Sequence, residues 1–122
     1  MKRLVSLALI TLVLAGSARP ASLLSVSKTP FESFNCSVDF TPVVGTDGIT
    51  LLGVVSTNLG TNDDSSAIII ANSPAPAVVG STDVVVFRVQ GGYNRQTHLI
   101  GVRVRDNVTL EIFEGQITLV IP

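Results

Sequence analysis

Apolar and polar residues alternate at every second position over much of this chain after residue 21. From Phe34 to Thr41 every even-numbered residue is apolar and every odd-numbered residue is polar, which is the pattern of a β-strand with one buried face. His98 to Arg105 alternates again, with Ile100, Val102 and Val104 on one face. Val84 to Gln90 is a further strand, with Val85, Phe87 and Val89 on one face and Val84, Val86 and Arg88 on the other. No stretch after residue 21 shows the 3.6-residue period of an amphipathic helix. The pattern therefore predicts a protein built from strands.

Four further segments have the length and composition of strands. The run Ile49 to Ser56 contains Gly53, which predicts a weak point or a β-bulge. In the last segment the apolar positions change from even to odd numbers, and an inserted residue at Glu114-Gly115 would restore one buried face, so we expect a bulge there. A polar loop is expected from Thr57 to Ser66. The four segments are Leu23 to Ser27 as an edge strand, Ile49 to Ser56, Ala67 to Ala71, and Leu110 to Ile121.

About seven short strands in roughly 100 residues predict an all-β, immunoglobulin-like antiparallel β-sandwich. The Cys…Trp…Cys signature of antibody domains is absent, since the chain has one cysteine and no tryptophan, and a small barrel is the alternative. Cys36 lies on the apolar side of its strand, so we expect a small buried hydrophobic residue and not a reactive thiol. We assign the sandwich to residues 22–122.

Residues 1–21 differ from the rest of the chain. A basic start at Lys2-Arg3 is followed by an apolar run from Leu4 to Leu14 and by the small residues Ala15 to Ala18. This is the order of parts in a secretory signal peptide, and the run is short for a transmembrane helix. The alternative is an apolar N-terminal arm that packs on a partner. Contact with a membrane is expected only through this segment, if at all.

The charge of residues 22–122 argues against nucleic acid as a partner. Five basic residues stand against nine acidic ones, a net charge of −4, and the arginines form no stripe. Neutralising phosphates requires clustered lysine and arginine side chains.

No catalytic arrangement, metal site or cofactor site is expected. His98 is the one histidine of the chain, and its place at the start of a strand predicts an exposed or capping side chain. Asn62-Asp63-Asp64 is interpreted as a solvated loop, because the spacing of a calcium-binding loop is absent. Two N-glycosylation sequons, Asn35-Cys36-Ser37 and Asn107-Val108-Thr109, are present, and the tripeptides do not say whether either is used. The sequence predicts a protein that is not an enzyme.

A candidate partner-binding loop follows the glycine pair Gly91-Gly92. It carries Tyr93, Asn94 and Arg95, and tyrosine and arginine are enriched at binding hot spots. An ordinary hairpin loop is the alternative interpretation.

Several short motifs resemble a family of proteins. Ser27-Lys28-Thr29-Pro30-Phe31-Glu32 followed by Val38-Asp39-Phe40-Thr41 resembles the opening of small virion-associated proteins of tailed bacteriophages. The glycine pair after Val89-Gln90, the strand Leu99 to Arg105, and Ile112-Phe113-Glu114 with Ile117-Thr118-Leu119 resemble their closing pattern. The resemblance covers roughly residues 26–121. It implies an immunoglobulin-like domain attached to the particle at the capsid surface, the neck or a fibre base, and it carries over no catalytic residues.

Two functions follow as expectations. The first is a structural protein of the virion, a homo-oligomer that contacts its own copies or other virion proteins. The second is an exported module, periplasmic or secreted after signal cleavage, which binds a protein or a glycan through its loops. Phage particles assemble in the cytoplasm, so the segment 1–21 acts as an assembly arm in the first case and as an export signal in the second.

Overall fold

The structure, a computed structural model, describes residues 10–13 and 24–122. Strands account for most of this part of the chain, with two helices of a single turn. The strands are β1 (Ile10–Val13), β2 (Leu24–Ser27), β3 (Phe34–Asp39), β4 (Ile49–Asn58), β5 (Asp63–Asp64), β6 (Ala77–Val78), β7 (Val84–Val89), β8 (Gln96–Asp106) and β9 (Ile112–Ile121); the helices are α1 (Thr41–Val44) and α2 (Ser66–Ile69).

These strands form two sheets that pack face to face. One sheet has the order β1-β3-β7-β6 and the other has the order β2-β9-β8-β4-β5. The strands β1-β3-β7-β6 stand in the order A-B-E-D of an immunoglobulin domain, and β4-β8-β9 stand in the order C-F-G. The prediction of an all-β, immunoglobulin-like sandwich is therefore confirmed. The sheets are mixed, because β1 pairs parallel with β3 and β2 pairs parallel with β9.

The core consists of the alternate residues that the two-residue period placed on one face. In β3, β7 and β8 the predicted inward residues are buried, including Val38, Phe87 and Ile100. Cys36 is fully buried with a free thiol, and burial raises its pKa to about 12. The prediction that Cys36 serves as a small buried hydrophobic residue is confirmed.

Two predictions about the strands are wrong. The pairing of β8 with β9 runs without a shift from Gln96 to Arg105, so the last strand has no bulge at Glu114-Gly115. The even-numbered apolar residues that suggested one, Leu110 and Ile112, are exposed at the start of the strand. The predicted bulge at Gly53 is confirmed, because the register of β4 shifts between Leu51 and Gly53.

In place of the strand predicted from Ala67 to Ala71, the chain forms a helical turn as far as Ile69, and Ile70 makes a single antiparallel bridge to Val89. Ile69 N donates to Ser65 O at 2.9 Å and Ile70 N donates to Ser66 O at 3.0 Å, which closes α2 and directs Ile69 into the core. Burial of that side chain outweighs the β-propensity of the run. The predicted loop from Thr57 to Ser66 also includes the end of β4 and the two-residue strand β5.

Residues 10–13 belong to the segment interpreted as a signal peptide or an arm. Their backbone adds a strand to the edge of β3, with Ile10 opposite Cys36 and Val13 opposite Asp39. Residues 1–9 and 14–21, including the position at which a signal would be cleaved, lie outside the described residues. Within the described residues no helix is long and apolar enough to cross a membrane.

Candidate interaction surface

The predicted loop Tyr93-Asn94-Arg95 is held in place by its backbone and by its neighbours. Gly91 and Gly92 have φ angles of +62° and +85°, and a Cβ on Gly92 would lie 2.2 Å from Ile121 Cδ1. Two glycines are therefore required to turn the chain out of β7. Arg95 N donates to Ile121 O at 2.7 Å, and Asn94 Nδ2 donates to the carbonyl oxygen of Pro122 at 2.9 Å.

Tyr93 projects from this fixed loop into solvent. Its side chain is 70% exposed, and its N–H donates to Gln96 Oε1 at 3.0 Å. The ring of Tyr93 is therefore open to solvent while its backbone N–H is hydrogen-bonded within the protein. A contact residue held in this way needs little ordering when it binds. Of the three predicted residues, Tyr93 and Arg95 have exposed side chains that are available for contact, whereas the side-chain amide of Asn94 donates to Pro122.

A second exposed aromatic ring, which the sequence reasoning did not select, lies at the same end of the sandwich. Phe31 is 96% exposed, at the third position of a β-turn that follows β2. In this turn Glu32 N donates to Thr29 O at 3.2 Å, and Thr29 N donates to Glu32 Oε1 at 2.7 Å. Pro30 at the second position fixes its own φ. A proline-containing turn between two strands was the available signal, but it does not say whether the adjacent phenylalanine turns inward.

Lys28 joins the two aromatic loops from below. It is fully buried, and its Nζ donates to Thr29 O at 2.6 Å and to Gly91 O at 2.5 Å. Burial lowers the pKa of the Lys28 ammonium, and the nearby carboxylate of Glu32 partly offsets that effect. Hydrogen bonds from a buried ammonium group to two carbonyl oxygens are strong, and here they connect the two loops. The turn 29–32 and the loop 91–95, hereafter the aromatic end, therefore form one rigid unit.

His98 lies beneath this unit, which corrects the expectation that it is exposed or capping. It is 1% exposed, because it shares the inward face of β8 with Ile100. Gln96 Oε1 already accepts from a backbone N–H, so His98 Nε2 donates to that oxygen, at 3.1 Å. His98 Nδ1 then accepts from Ser65 Oγ at 2.8 Å, and Ser65 Oγ in turn accepts from Ser56 Oγ at 2.7 Å.

This chain of hydrogen bonds is sealed from solvent. Ser56 and Ser65 are 0% and 4% exposed, so the contact of a hydroxyl with an imidazole does not present a nucleophile to a substrate. Burial lowers the pKa of His98, and the positive charge of Lys28 lowers it further. Its role in the structure is to satisfy buried polar groups under the aromatic end.

The acidic residues of the segment Asn62-Asp63-Asp64, interpreted above as a solvated loop, lie at the surface. Asp63 and Asp64 are exposed, and Asp64 Oδ1 accepts from Ser66 N at 2.8 Å; hydrogen bonds from Ser66 lower the pKa of Asp64. Over residues 24–122 no group of three or more histidine, cysteine, aspartate or glutamate side chains is arranged to hold a metal ion. Of the two sequon asparagines, Asn35 is half-buried beside Arg88 and Asn107 is exposed in the β8–β9 turn.

A hollow of about 350 Å³ lies on the outer face of the five-stranded sheet. Gly53 and Gly101 form its floor, and Arg103 and Glu114 form a salt bridge of 2.9 Å at one side. Leu52, Val55 and Ile112 on its walls are each between 44% and 58% exposed. This surface, hereafter the glycine hollow, is concave and open to solvent, with apolar walls and with polar groups from Thr57, Arg103 and Glu114.

The comparisons with known proteins are sparse. No protein-family model and no curated protein match this chain. Among solved structures, a chain in the structure of PbICP-C in complex with falcipain-2 is similar at 13% sequence identity and a TM-score of 0.48, over 93% of this chain and 99% of that one. The fold assignment rests on the strand order described above.

Proposed function

We propose that this chain is a non-enzymatic structural protein of a phage virion that assembles through protein–protein contacts. The observation that carries the proposal is the pairing of β1, because the backbone of residues 10–13 adds a strand to the edge of β3. A segment that pairs in this way can also add to the sheet of a neighbouring molecule. This supports the interpretation of residues 1–21 as an assembly arm. The resemblance of the motifs to virion-associated proteins of tailed bacteriophages is the reason for proposing a phage particle as the assembly.

The first experiment is the intact mass of the protein recovered from purified particles. We expect the mass of residues 1–122, because an arm is retained. A protein that is absent from particles, or one that lacks about the first 18 to 21 residues as signal cleavage predicts, would contradict the proposal.

Two deletions test the arm itself. Removal of residues 1–21 deletes β1 and should abolish incorporation into particles, whereas removal of residues 1–9 retains Ile10–Val13 and should preserve incorporation. Far-ultraviolet circular dichroism of both proteins provides the folding control. Normal incorporation of the longer deletion would eliminate the role of the arm.

The aromatic end favours a second candidate, an exported module that binds a protein or a glycan through its loops. Phe31 and Tyr93 are exposed on braced loops, and aromatic rings serve as anchors for both classes of ligand. In this case Tyr93→Ala should weaken capture of the partner at the cell surface while the exposed Val108→Ala, in the β8–β9 turn at the other end of the sandwich, leaves it unchanged. Equal capture by both variants would exclude the loop as the binding site.

A further inference from the structure

We propose that Phe31 of one copy inserts into the glycine hollow of the next copy, which joins copies head to tail. The proposal deepens the structural role stated above by naming the surfaces through which copies meet. Each surface is exposed in the single chain and has apolar side chains at its centre, and the hollow is large enough for the ring.

Phe31 is the projecting half of the contact. A fully exposed phenylalanine loses the free energy that burial of its ring would supply, and Phe31 is 96% exposed, so its ring is not packed against the described residues. The turn that carries it is nevertheless fixed on both sides. Lys28 binds Thr29 O before the turn, and Arg88 Nε donates to Ser33 Oγ at 2.8 Å after it. The ring is therefore presented to solvent by a rigid support, so little ordering is needed when it binds.

The glycine hollow is the receiving half. Glycine within a strand weakens a sheet, and it commonly marks a bulge or the close approach of another chain. The bulge of β4 accounts for Gly53, and Gly101, in a regular stretch of β8, leaves room for the side chain of Glu114, whose carboxylate lies 3.2 Å from where a Cβ would be. A Cβ added to Gly53 would meet no atom within 4 Å, so the floor of the hollow is open on the Gly53 side. At about 350 Å³ it is at the small end of pockets that hold a ligand and is large enough for one aromatic ring.

Charge supports the same pairing. Glu32 follows Phe31 in the turn, and Arg103 and Arg105 point outward from β8 beside the hollow. Arg103 already forms a salt bridge with Glu114, so Arg105 is the guanidinium group toward which a docked turn would bring the carboxylate of Glu32, and complementary charges at the rim of a contact favour one orientation. The net charge of −4 for residues 22–122 would otherwise oppose association of identical copies.

The two surfaces lie on different parts of the molecule, so the contact is heterologous. Phe31 is at the end of the sandwich where β9 terminates, and the hollow is on the outer face of β4, β8 and β9. A heterologous contact leaves one free Phe31 and one free glycine hollow on every pair of copies. Association therefore continues until a ring closes or a filament forms. Such a contact suits a protein made in multiple copies.

Sedimentation of the full-length chain tests the contact. We expect the wild type to associate as its concentration rises to about 1 mM, which is the range of effective concentrations between neighbours in an assembly. Phe31→Ser removes the projecting ring and Gly53→Val fills the glycine hollow, and each substitution should weaken association at least tenfold. Val108→Ser, at the exposed turn on the opposite end, is the matched control and should associate like the wild type.

Mixing the two defective variants gives the decisive measurement. Phe31→Ser retains the glycine hollow and Gly53→Val retains the Phe31 ring. A 1:1 mixture should therefore form a heterodimer and nothing larger. Three results would overturn the proposal: a wild type that remains monomeric, variants that associate like the wild type, or a mixture that stays monomeric while the wild type associates. The measurement uses purified protein, so failure of the contact is distinct from absence of the chain from particles.

Discussion

The buried hydrogen-bond chain Ser56–Ser65–His98 predicts that deletion of one hydroxyl oxygen strongly lowers the free energy of unfolding. In Ser65→Ala, the Ser56 hydroxyl loses its acceptor and His98 Nδ1 loses its donor. Both groups are at most 1% exposed, so water does not replace the missing partner. Each buried polar group left without a partner costs about 1–3 kcal/mol. We therefore expect Ser65→Ala to lower the free energy of unfolding by about 2–6 kcal/mol.

The geometry of α2 removes the usual alternative explanation. Ser65 is the N-cap residue of α2, but its side chain makes no capping hydrogen bond, and its backbone contacts to Ser56, Ile68 and Ile69 do not involve the hydroxyl. Loss of a cap therefore contributes nothing to the expected change. Ser56→Ala is the matched control, because it leaves the hydrogen bond from Ser65 to His98 intact and should cost only about 1–2 kcal/mol.

Urea unfolding at neutral pH, followed by far-ultraviolet circular dichroism, measures the two variants side by side. The expected order of destabilisation is Ser65→Ala first and Ser56→Ala second, with unchanged m-values. An effect of Ser65→Ala below about 0.5 kcal/mol, the ordinary size for a surface substitution, would refute the reasoning. So would a larger effect of Ser56→Ala.

Three further predictions concern pH and backbone. Because the folded state holds the pKa of His98 below its ordinary value of 6.5, the unfolded chain binds a proton first on acidification; stability should fall as pH drops below that value, and titration of His98→Gln should show a shallower loss. Cys36, with a pKa raised from 9.0 to about 12, gives the opposite pH dependence, because the unfolded thiol ionises first as pH rises. The free energy of unfolding should therefore fall by up to about 1.4 kcal/mol per pH unit above 9.0. Cys36→Ala should lack this slope. Gly92→Ala combines a φ of +85° with a Cβ only 2.2 Å from Ile121 Cδ1 and should cost more than about 1 kcal/mol in thermal unfolding, whereas Gly53→Ala should be nearly neutral.

The sandwich was predictable because strands with one buried face have a period of two. The same period also contained a signal for the buried polar residues. His98 shares its parity with Ile100, and Lys28 shares its parity with Leu24 and Val26. The polar character of His98 argued for exposure. Each of the two side chains has one partner close in sequence and one that is distant, Gly91 O for Lys28 and Ser65 Oγ for His98. Burial of these two residues is thus a property of the tertiary arrangement.

The candidate surfaces were only partly predictable for a related reason. The loop with Tyr93 was recognisable because a glycine pair and hot-spot residue types are local features of the sequence. The exposure of Phe31 depends on which way a turn projects, and composition contains no information on that direction. The glycine hollow brings together residues of β4, β8 and β9, so its floor and walls exist only once the strands are paired.

The parallel pairing of β2 with β9 gives this domain a mechanical direction. Leu24 lies beside Ile117 and Ser27 lies beside Val120, so the chain enters β2 at the end where β9 is entered and leaves β9 at the opposite end. Tension applied on the N-terminal side of Leu24 and on the C-terminal side of Ile121 pulls the two strands past each other along their length. Every hydrogen bond between them is then loaded together in shear, and none is opened before the others. Forced unfolding is governed by the unfolding rate, and this arrangement places the whole β2–β9 ladder in the barrier for tension along the chain.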